Sequence, residues 1–413
     1  MSETKKVTLG LIPKLIVAII LGILVGKYLP PVVTQIAVTF STIFGSFLSF
    51  IIPLMILAFV TKGIAELTEG AGKLLAATVC ISYVSTLIAG SLSYTMSHSI
   101  FPSFITKDLA DKIQNATDAS LEPIFKIPLS PLLDVTGALV FAFMMGISIS
   151  YLRTKTKKGE YLYHIFDEFN DIIVKVLDVA IVPLLPYFIF GNFANMSYSG
   201  SVFIVLGIFW KIFLCIVILH LLYVSAMFLI TGAYRHQGPF TWMRNQVTGY
   251  MTAIGTQSSA ATIPVNVGVA KKNGVSKPIR EFVVPLCATV HMPGSMITIT
   301  ACTYTMLVMF DMPHSFGLMF QFIAILGVAM VAAPGAPGGA VMSALPFLPV
   351  LGVDPSGSMA SLLISLYLTQ DSFGTAANVS GDNAIALAMD KLYYDKIVKT
   401  PRPVDEDSVE VNN

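Results

Sequence analysis

Eight apolar runs, each long enough to cross a lipid bilayer, dominate this chain and limit what it can become. They lie near residues 11–29, 36–61, 74–101, 130–152, 168–194, 202–232, 279–310 and 358–390. A spanning helix needs about 20 mostly apolar residues. Several runs exceed a perpendicular crossing, so tilt or interfacial extension is expected. Only 12% of the 413 residues are charged, whereas soluble domains carry about 25%. A soluble enzyme, a nucleic-acid binder and a disordered adaptor all need more charged surface than this. The chain reads as an all-α polytopic membrane protein.

Its 25 Lys+Arg and 24 Asp+Glu leave a net charge of +1, which points to no anionic partner. Cys80, Cys215, Cys287 and Cys302 sit singly inside apolar runs and read as small buried hydrophobes. Met1–Val7 is short and polar, and the first run continues past signal-peptide length, so no cleaved leader is expected.

Two further apolar stretches, near 242–270 and 315–352, are broken in the middle. The first is interrupted over Gly255–Pro264, the second over Ala332–Gly339. Irregular backbone at membrane depth is tolerated only where protein buries it or it lines a watery cavity. Paired Gly/Pro-interrupted segments, each followed by a long helix, point to a secondary transporter's binding site. A simple proline kink is the competing explanation. The clustered Ser, Thr and Gln disfavour it, because lipid offers them no partners.

Charge placement agrees with two re-entrant hairpins. If both broken stretches enter and leave on one side, one face collects Lys5, Lys6, Lys62, Lys73, Arg153, Lys155, Lys157, Lys158, Arg235 and Arg244. The same face takes Lys271, Lys272, Lys277, Arg280, Lys391, Lys396, Lys399 and Arg402. The other holds Lys107, Lys112 and Lys126, diluted by Asp108, Asp111, Asp118 and Glu122. The Lys/Arg bias then makes both termini cytoplasmic. The polar, acidic tail from Arg402 to Asn413 reads as disordered.

The last run carries the strongest site signal. Asp371, Thr375, Asn378 and Asp382 fall within about 60° of one another on a helix. An unpaired intramembrane carboxylate costs roughly 2.5–3.5 kcal/mol even on insertion scales. A cation or a substrate ammonium would compensate it, and no Lys or Arg lies nearby in the central segments to make a structural ion pair. Residues Cys287–Ser295 read Cys-Ala-Thr-Val-His-Met-Pro-Gly-Ser in mid-run. Pro293 removes a backbone donor and Gly294 adds freedom. Carbonyls freed by such a break suit a hard cation such as sodium. His291 reads either as a proton carrier or substrate ligand, or as a buried neutral histidine held by hydrogen bonds. Asp167, Glu168, Asp171, Lys175 and Asp178 have helical spacing and read as an interfacial or subunit-facing stripe and not as an ion path. Asn115-Ala116-Thr117 matches a glycosylation acceptor.

Four motifs together carry a resemblance. They are the serine-rich first break, the broken seventh helix, the Gly/Pro-rich second break and the Asn378-x-x-Gly381-Asp382 stretch. The chain resembles, over nearly its whole length, the dicarboxylate/amino acid:cation symporters. That family includes glutamate transporter homologues, neutral amino acid exchangers and bacterial serine/threonine transporters. The resemblance implies a homotrimeric elevator-type transporter with eight transmembrane helices plus two re-entrant helical hairpins. Scaffold helices would occupy 1–73 and 130–198, with an extracellular loop at 102–129. The transport domain would take helix three at 74–101, helix six at 199–239 and the first hairpin at 240–275. It would continue through helix seven at 276–312, the second hairpin at 313–355 and helix eight at 356–398, before a cytoplasmic tail at 399–413. The second hairpin would gate the extracellular side.

Within that resemblance Asp371 matches the carboxylate that holds the substrate's amino group. Asn378, with Ser259 and backbone near Ala336–Gly338, matches the groups holding its α-carboxylate. Ser258, Pro337, Gly374 and Thr375 complete the substrate-binding set. Asp382 and Asn378, with carbonyls around Cys287 and His291, match one sodium site. Thr289 and the second hairpin match another. Ser85, Thr86, Met292 and Ser295 are further candidates.

Two departures shape the expectation. Acidic-substrate members carry an arginine where this chain has Gly374, so a side-chain carboxylate would lose its bidentate partner. The seventh-helix motif has His291 and Pro293 where asparagine and aspartate are usual, which removes a carboxylate from a third sodium site near Ser85 and Thr86. Fewer sodium ions, or a proton in place of one, would follow. One cation moving through 100 mV releases about 2.3 kcal/mol, against about 1.4 kcal/mol for a tenfold substrate gradient. One or two coupled ions therefore suffice. The expected function is sodium-coupled import of a small neutral L-amino acid, such as serine, threonine or alanine, across the plasma (inner) membrane. No cofactor beyond the coupling sodium is expected. Alternatives are an exchanger, a carrier of dicarboxylates or acidic amino acids, and proton coupling. An intramembrane hydrolase using Ser258 or Ser259 with His291, and a passive channel, are more remote.

Overall fold

The computed structural model describes residues 11–65, 72–105, 120–133, 135–200, 202–330, 338–399 and 401. Among the described residues the chain is helical, with no strand. Helices α1 (Leu11–Tyr28), α2 (Pro31–Ala65) and α3 (Gly72–Ile100) come first. Next are α4 (Val135–Lys155), α5 (Glu160–Val176), α6 (Val182–Tyr198) and α7 (Val202–Arg235). Then follow α8 (Phe240–Thr256), α9 (Ser259–Lys272), α10 (Lys277–Val290) and α11 (Pro293–Met309). The last are α12 (Phe316–Met330), α13 (Gly339–Ala344), α14 (Ser358–Leu368) and α15 (Asp371–Leu392).

Lys73–Ser103, Gly207–Arg235 and Lys277–Met309 are long and apolar enough to cross a membrane. Among the described residues, the bent pair Glu160–Ile181 and Pro183–Tyr198 is a fourth such candidate by length and composition if counted as one span. The solvent-accessible faces are apolar. Ile16, Val17, Ile20 and Leu24 stand out along α1, and Trp210, Leu214, Ile218 and Leu222 along α7. Apolar surface on this scale mates with lipid, while the polar side chains turn inward.

Helices α1, α2, α4, α5 and α6 pack chiefly on one another. A second set is built from α3 and α7 to α15, with α15 at its centre against α7, α8, α10 and α11. One large apolar core runs through both sets, from Leu15 and Phe44 to Phe322 and Tyr367. Lys62 of α2 pairs with Asp167 of α5 at 2.6 Å, so that member of the acidic stripe faces a neighbouring helix.

The first broken stretch folds back on itself. Gln257 takes a left-handed conformation at φ 53° and Ser258 caps α9, its side chain accepting from the Ala261 amide at 3.2 Å. α8 and α9 then lie side by side, a hairpin and not a kinked helix. The interruption is narrower than its sequence, since Pro264 sits inside α9. In the second stretch α12 packs on α13 and on the 3-10 turn Leu345–Leu351. Ala336 and Pro337 lie outside the described residues, as do the Asn115 tripeptide and the tail beyond 401.

The last run departs from its expected continuity. It is two helices, α14 and α15, with Gln370 off the helix at φ −115° and ψ −6°. Side chains make the break. Thr369 Oγ1 and Gln370 Nε2 both donate to the Leu366 carbonyl, at 2.8 and 3.1 Å, and so compete with the helical ladder. Asp371 therefore opens a helix, where the macrodipole favours an anion.

Candidate functional site

Two helix breaks face each other at the centre of the second set. Pro293 bars Met292 from helical geometry and suits the first position of α11, so α10 ends at Val290 and His291 runs extended. A new helix start leaves its first amides without partners. Asn378 of α15 supplies one from across the interface. Its Oδ1 accepts from the Gly294 and Ser295 amides at 2.8 and 3.2 Å.

The opposite break presents Asp371, which is 4% exposed. Its Oδ2 accepts from the Gly338 amide at 2.7 Å, at the edge of the second hairpin. Tyr367 Oη lies 2.8 Å from Asp371 Oδ1 and 3.1 Å from Ser295 Oγ. A phenol has one proton and a carboxylate only accepts, so that proton goes to Asp371 and Ser295 donates to Oη. Asn378 Nδ2 in turn donates to Ser295 Oγ at 2.9 Å. Thr375 reaches Asp371 Oδ1 at 3.4 Å. One hydrogen-bonded web thus joins α11, α14, α15 and the second hairpin. Tyr367→Phe should lower the melting temperature by the loss of about 1.5–3 kcal/mol for a bond to a charged group, which differential scanning fluorimetry reads directly.

A second web lies deeper. His291 Nδ1 is 3.0 Å from Asp382 Oδ1, and both residues are fully buried. When Asp382 is ionised it only accepts, and Nδ1 then carries the proton. Nε2 meets Ser85 Oγ of α3 at 3.0 Å, and Ser85 Oγ lies 2.8 Å from Tyr223 Oη of α7. Asp382 Oδ2 is buried without a hydrogen-bond partner. A buried carboxylate oxygen left bare is suited to a cation. Gly381 makes the contact possible, since a Cβ there would lie 2.7 Å from His291 Cε1.

The other sequence candidates are placed as follows. Ser259 is buried at the start of α9, and Ser258 serves the α9 cap. Cys287 is buried with its carbonyl accepting from the His291 amide at 2.9 Å and its Sγ 3.7 Å from Ser82 Oγ. Thr289 is exposed, and its hydroxyl donates to the Leu286 carbonyl at 2.9 Å. Thr86 donates back to Ser82 at 2.9 Å, inside its own helix. Met292 is buried at the break. A side chain at Gly374 would begin 3.4 Å from Gly294 and Thr298 of α11, so its smallness serves helix contact as well. His291 uses its ring nitrogens on Asp382 and Ser85, which leaves neither to act as base for Ser258 or Ser259. The structure also brings in Tyr367, Tyr223 and His220, polar groups in apolar helices that the sequence reading did not single out. The rule that marks intramembrane ionisable residues as functional would have flagged His220.

The chain has known relatives. The model of the Sodium:dicarboxylate symporter family matches residues 11–392. The serine/threonine transporter SstT of Acinetobacter baylyi is 24% identical over 411 residues, covering 93% of this chain and 97% of the relative. SstT of Campylobacter jejuni is 26% identical over 395 residues, covering 90% of this chain and 93% of the relative. The neutral amino acid transporter B(0) of Rattus norvegicus is 27% identical over 270 residues, 64% of this chain and 47% of that protein. This chain thus matches about half the length of the B(0) relative. With two folded-back hairpins, two mid-run helix breaks and a match over nearly all of its length, the chain belongs to the sodium:dicarboxylate symporter family.

Proposed function

We propose that this protein is a sodium-coupled symporter that imports a small neutral amino acid of the serine, threonine or alanine class across the plasma membrane. The observation that carries this is Asp371, a buried carboxylate at a helix start, whose hydrogen-bond partners are a hairpin amide and two hydroxyls. A ligand ammonium is the natural counter-charge there. Gly374 offers no guanidinium for a second carboxylate, which favours a neutral side chain. The names of the relatives support the same class.

Sodium is cargo in this scheme, and the bare Asp382 Oδ2 fits a cation's needs. Eight spans with both termini cytoplasmic, and two hairpins re-entering from opposite sides, complete the arrangement. The mutual packing of α1, α2, α4, α5 and α6 supports a scaffold, from which a homotrimer would form. The set around α15 would then travel as an elevator, with the second hairpin as its gate.

The test uses purified full-length protein in proteoliposomes with an inward sodium gradient and labelled serine. Uptake should require sodium, and excess alanine or threonine should compete while aspartate does not. Preferential competition by aspartate or succinate would reassign the substrate to the acidic class. Asp382→Asn should cut uptake about tenfold or more and flatten its dependence on sodium, since the amide keeps the shape and loses the charge, a change of at least ~1.4 kcal/mol. A sodium titration of the serine KM checks it.

A further inference from the structure

One fully buried side chain near the site is explained by neither substrate nor coupling ion. His220 of α7 places Nε2 2.9 Å from the Gly294 carbonyl oxygen and 3.1 Å from Thr298 Oγ1. A carbonyl only accepts, so Nε2 carries the proton and donates to Gly294. Thr298 Oγ1 donates to the same oxygen at 3.1 Å, which gives that carbonyl two side-chain donors. His220 Nδ1 is buried with no hydrogen-bond partner. Buried polar atoms are seldom left this way, so the ring is held by what Nε2 does.

What Nε2 grips is a peptide plane that serves the site. The Gly294 carbonyl and the Ser295 amide belong to one planar unit, and in a trans peptide they point in opposite directions. His220 holds the oxygen end, and Asn378 Oδ1 accepts from the Ser295 amide at the other end, at 3.2 Å. Gly294 and Ser295 lie in the first turn of α11, where the helix supplies no acceptor for their amides. His220 and Asn378 add a bond at each end of the peptide that joins them.

We propose that His220 is a positioning residue for substrate binding: it fixes the Gly294–Ser295 peptide and thereby aims Asn378 and Ser295 at the ligand. The assignment rests on the reading of Asn378 as a substrate-holding group. It predicts a defect in affinity with little change in turnover.

The experiment compares serine uptake by His220→Leu and His220→Gln in sodium-loaded gradients, alongside the parent protein in the same vesicles. His220→Leu should raise KM about tenfold, equivalent to ~1.4 kcal/mol, with the maximal rate nearly unchanged. His220→Gln can place an amide donor near the Gly294 oxygen and should recover most of the affinity. An unchanged KM in His220→Leu, or equal loss in both variants, overturns the assignment. If the leucine variant does not assemble, Thr298→Val against Thr298→Ser gives the same readout. Valine should raise KM and serine should not, and equal values overturn it. Absence of sodium-driven uptake by the parent protein would overturn the transport reading, and this assignment with it. An active parent with unaffected variants refutes His220 alone.

Discussion

Asp371→Asn should give a protein that assembles normally and takes up no serine. Asparagine matches aspartate in shape and keeps its one acceptor oxygen for the Gly338 amide, while its amide nitrogen can donate to Tyr367 Oη in place of the bond that hydroxyl gave, so the fold around α15 survives. What disappears is the charge. The residue opens α15, where the macrodipole and the buried surroundings are arranged around an anion. A ligand ammonium entering the substituted site would be desolvated without a counter-charge. Removing one partner of a buried ion pair costs about 3–5 kcal/mol, which is a loss of affinity of more than ~100-fold. Isothermal titration with serine in saturating sodium should show no heat, and proteoliposome uptake should sit at background. Serine uptake at the normal rate by this variant would move the ammonium site elsewhere.

Gly294→Ala should be nearly as damaging, for a steric reason. A Cβ at 294 would overlap the Gly374 carbonyl oxygen and lie 2.7 Å from Ala377 Cβ. The obstacle is mainly backbone, so no side-chain rotation relieves it. α11 and α15 would have to move apart, and with them the pairing of Asn378 with the Gly294 and Ser295 amides. Overpacking a tight core typically costs about 1–3 kcal/mol. The melting temperature should fall, and serine uptake should drop further than stability alone accounts for. Gly374→Ala is the internal control at the same crossing. Its Cβ would meet neighbours at 3.4 Å, ordinary contact, so it should stay close to the parent protein in stability. Equal tolerance of both substitutions would contradict the close approach of the two helices.

Much of the site was written locally. Asp371, Thr375, Asn378 and Asp382 share a face because their spacing fits one helix, and α15 presents them together, all buried. The chain break at 291–293 follows from one proline and its steric effect on the preceding residue. A similar stripe runs down α7. His220, Tyr223, Thr231 and Arg235 recur at helical spacing and reach Gly294, Ser85, Ala384 and Asp390 in turn. That stripe was equally open to inspection in the sequence, but four polar residues spread over four turns in a strongly apolar helix are easily passed over.

The partners were another matter. Asp371 meets Gly338 across 33 positions, Ser295 meets Asn378 across 83, and Ser85 meets His291 across 206. No local periodicity encodes such pairings, because they arise from how separate helices pack. The split of the last run into α14 and α15 likewise depends on side chains taking the Leu366 carbonyl, a competition that spacing does not reveal. The eight long apolar runs and the scarcity of charge placed this chain in a membrane before any coordinates and made its few intramembrane acids candidates for a site. Which groups those acids face was decided by packing, since a hydrogen bond needs its partners within about 3 Å and only the folded chain brings them that close.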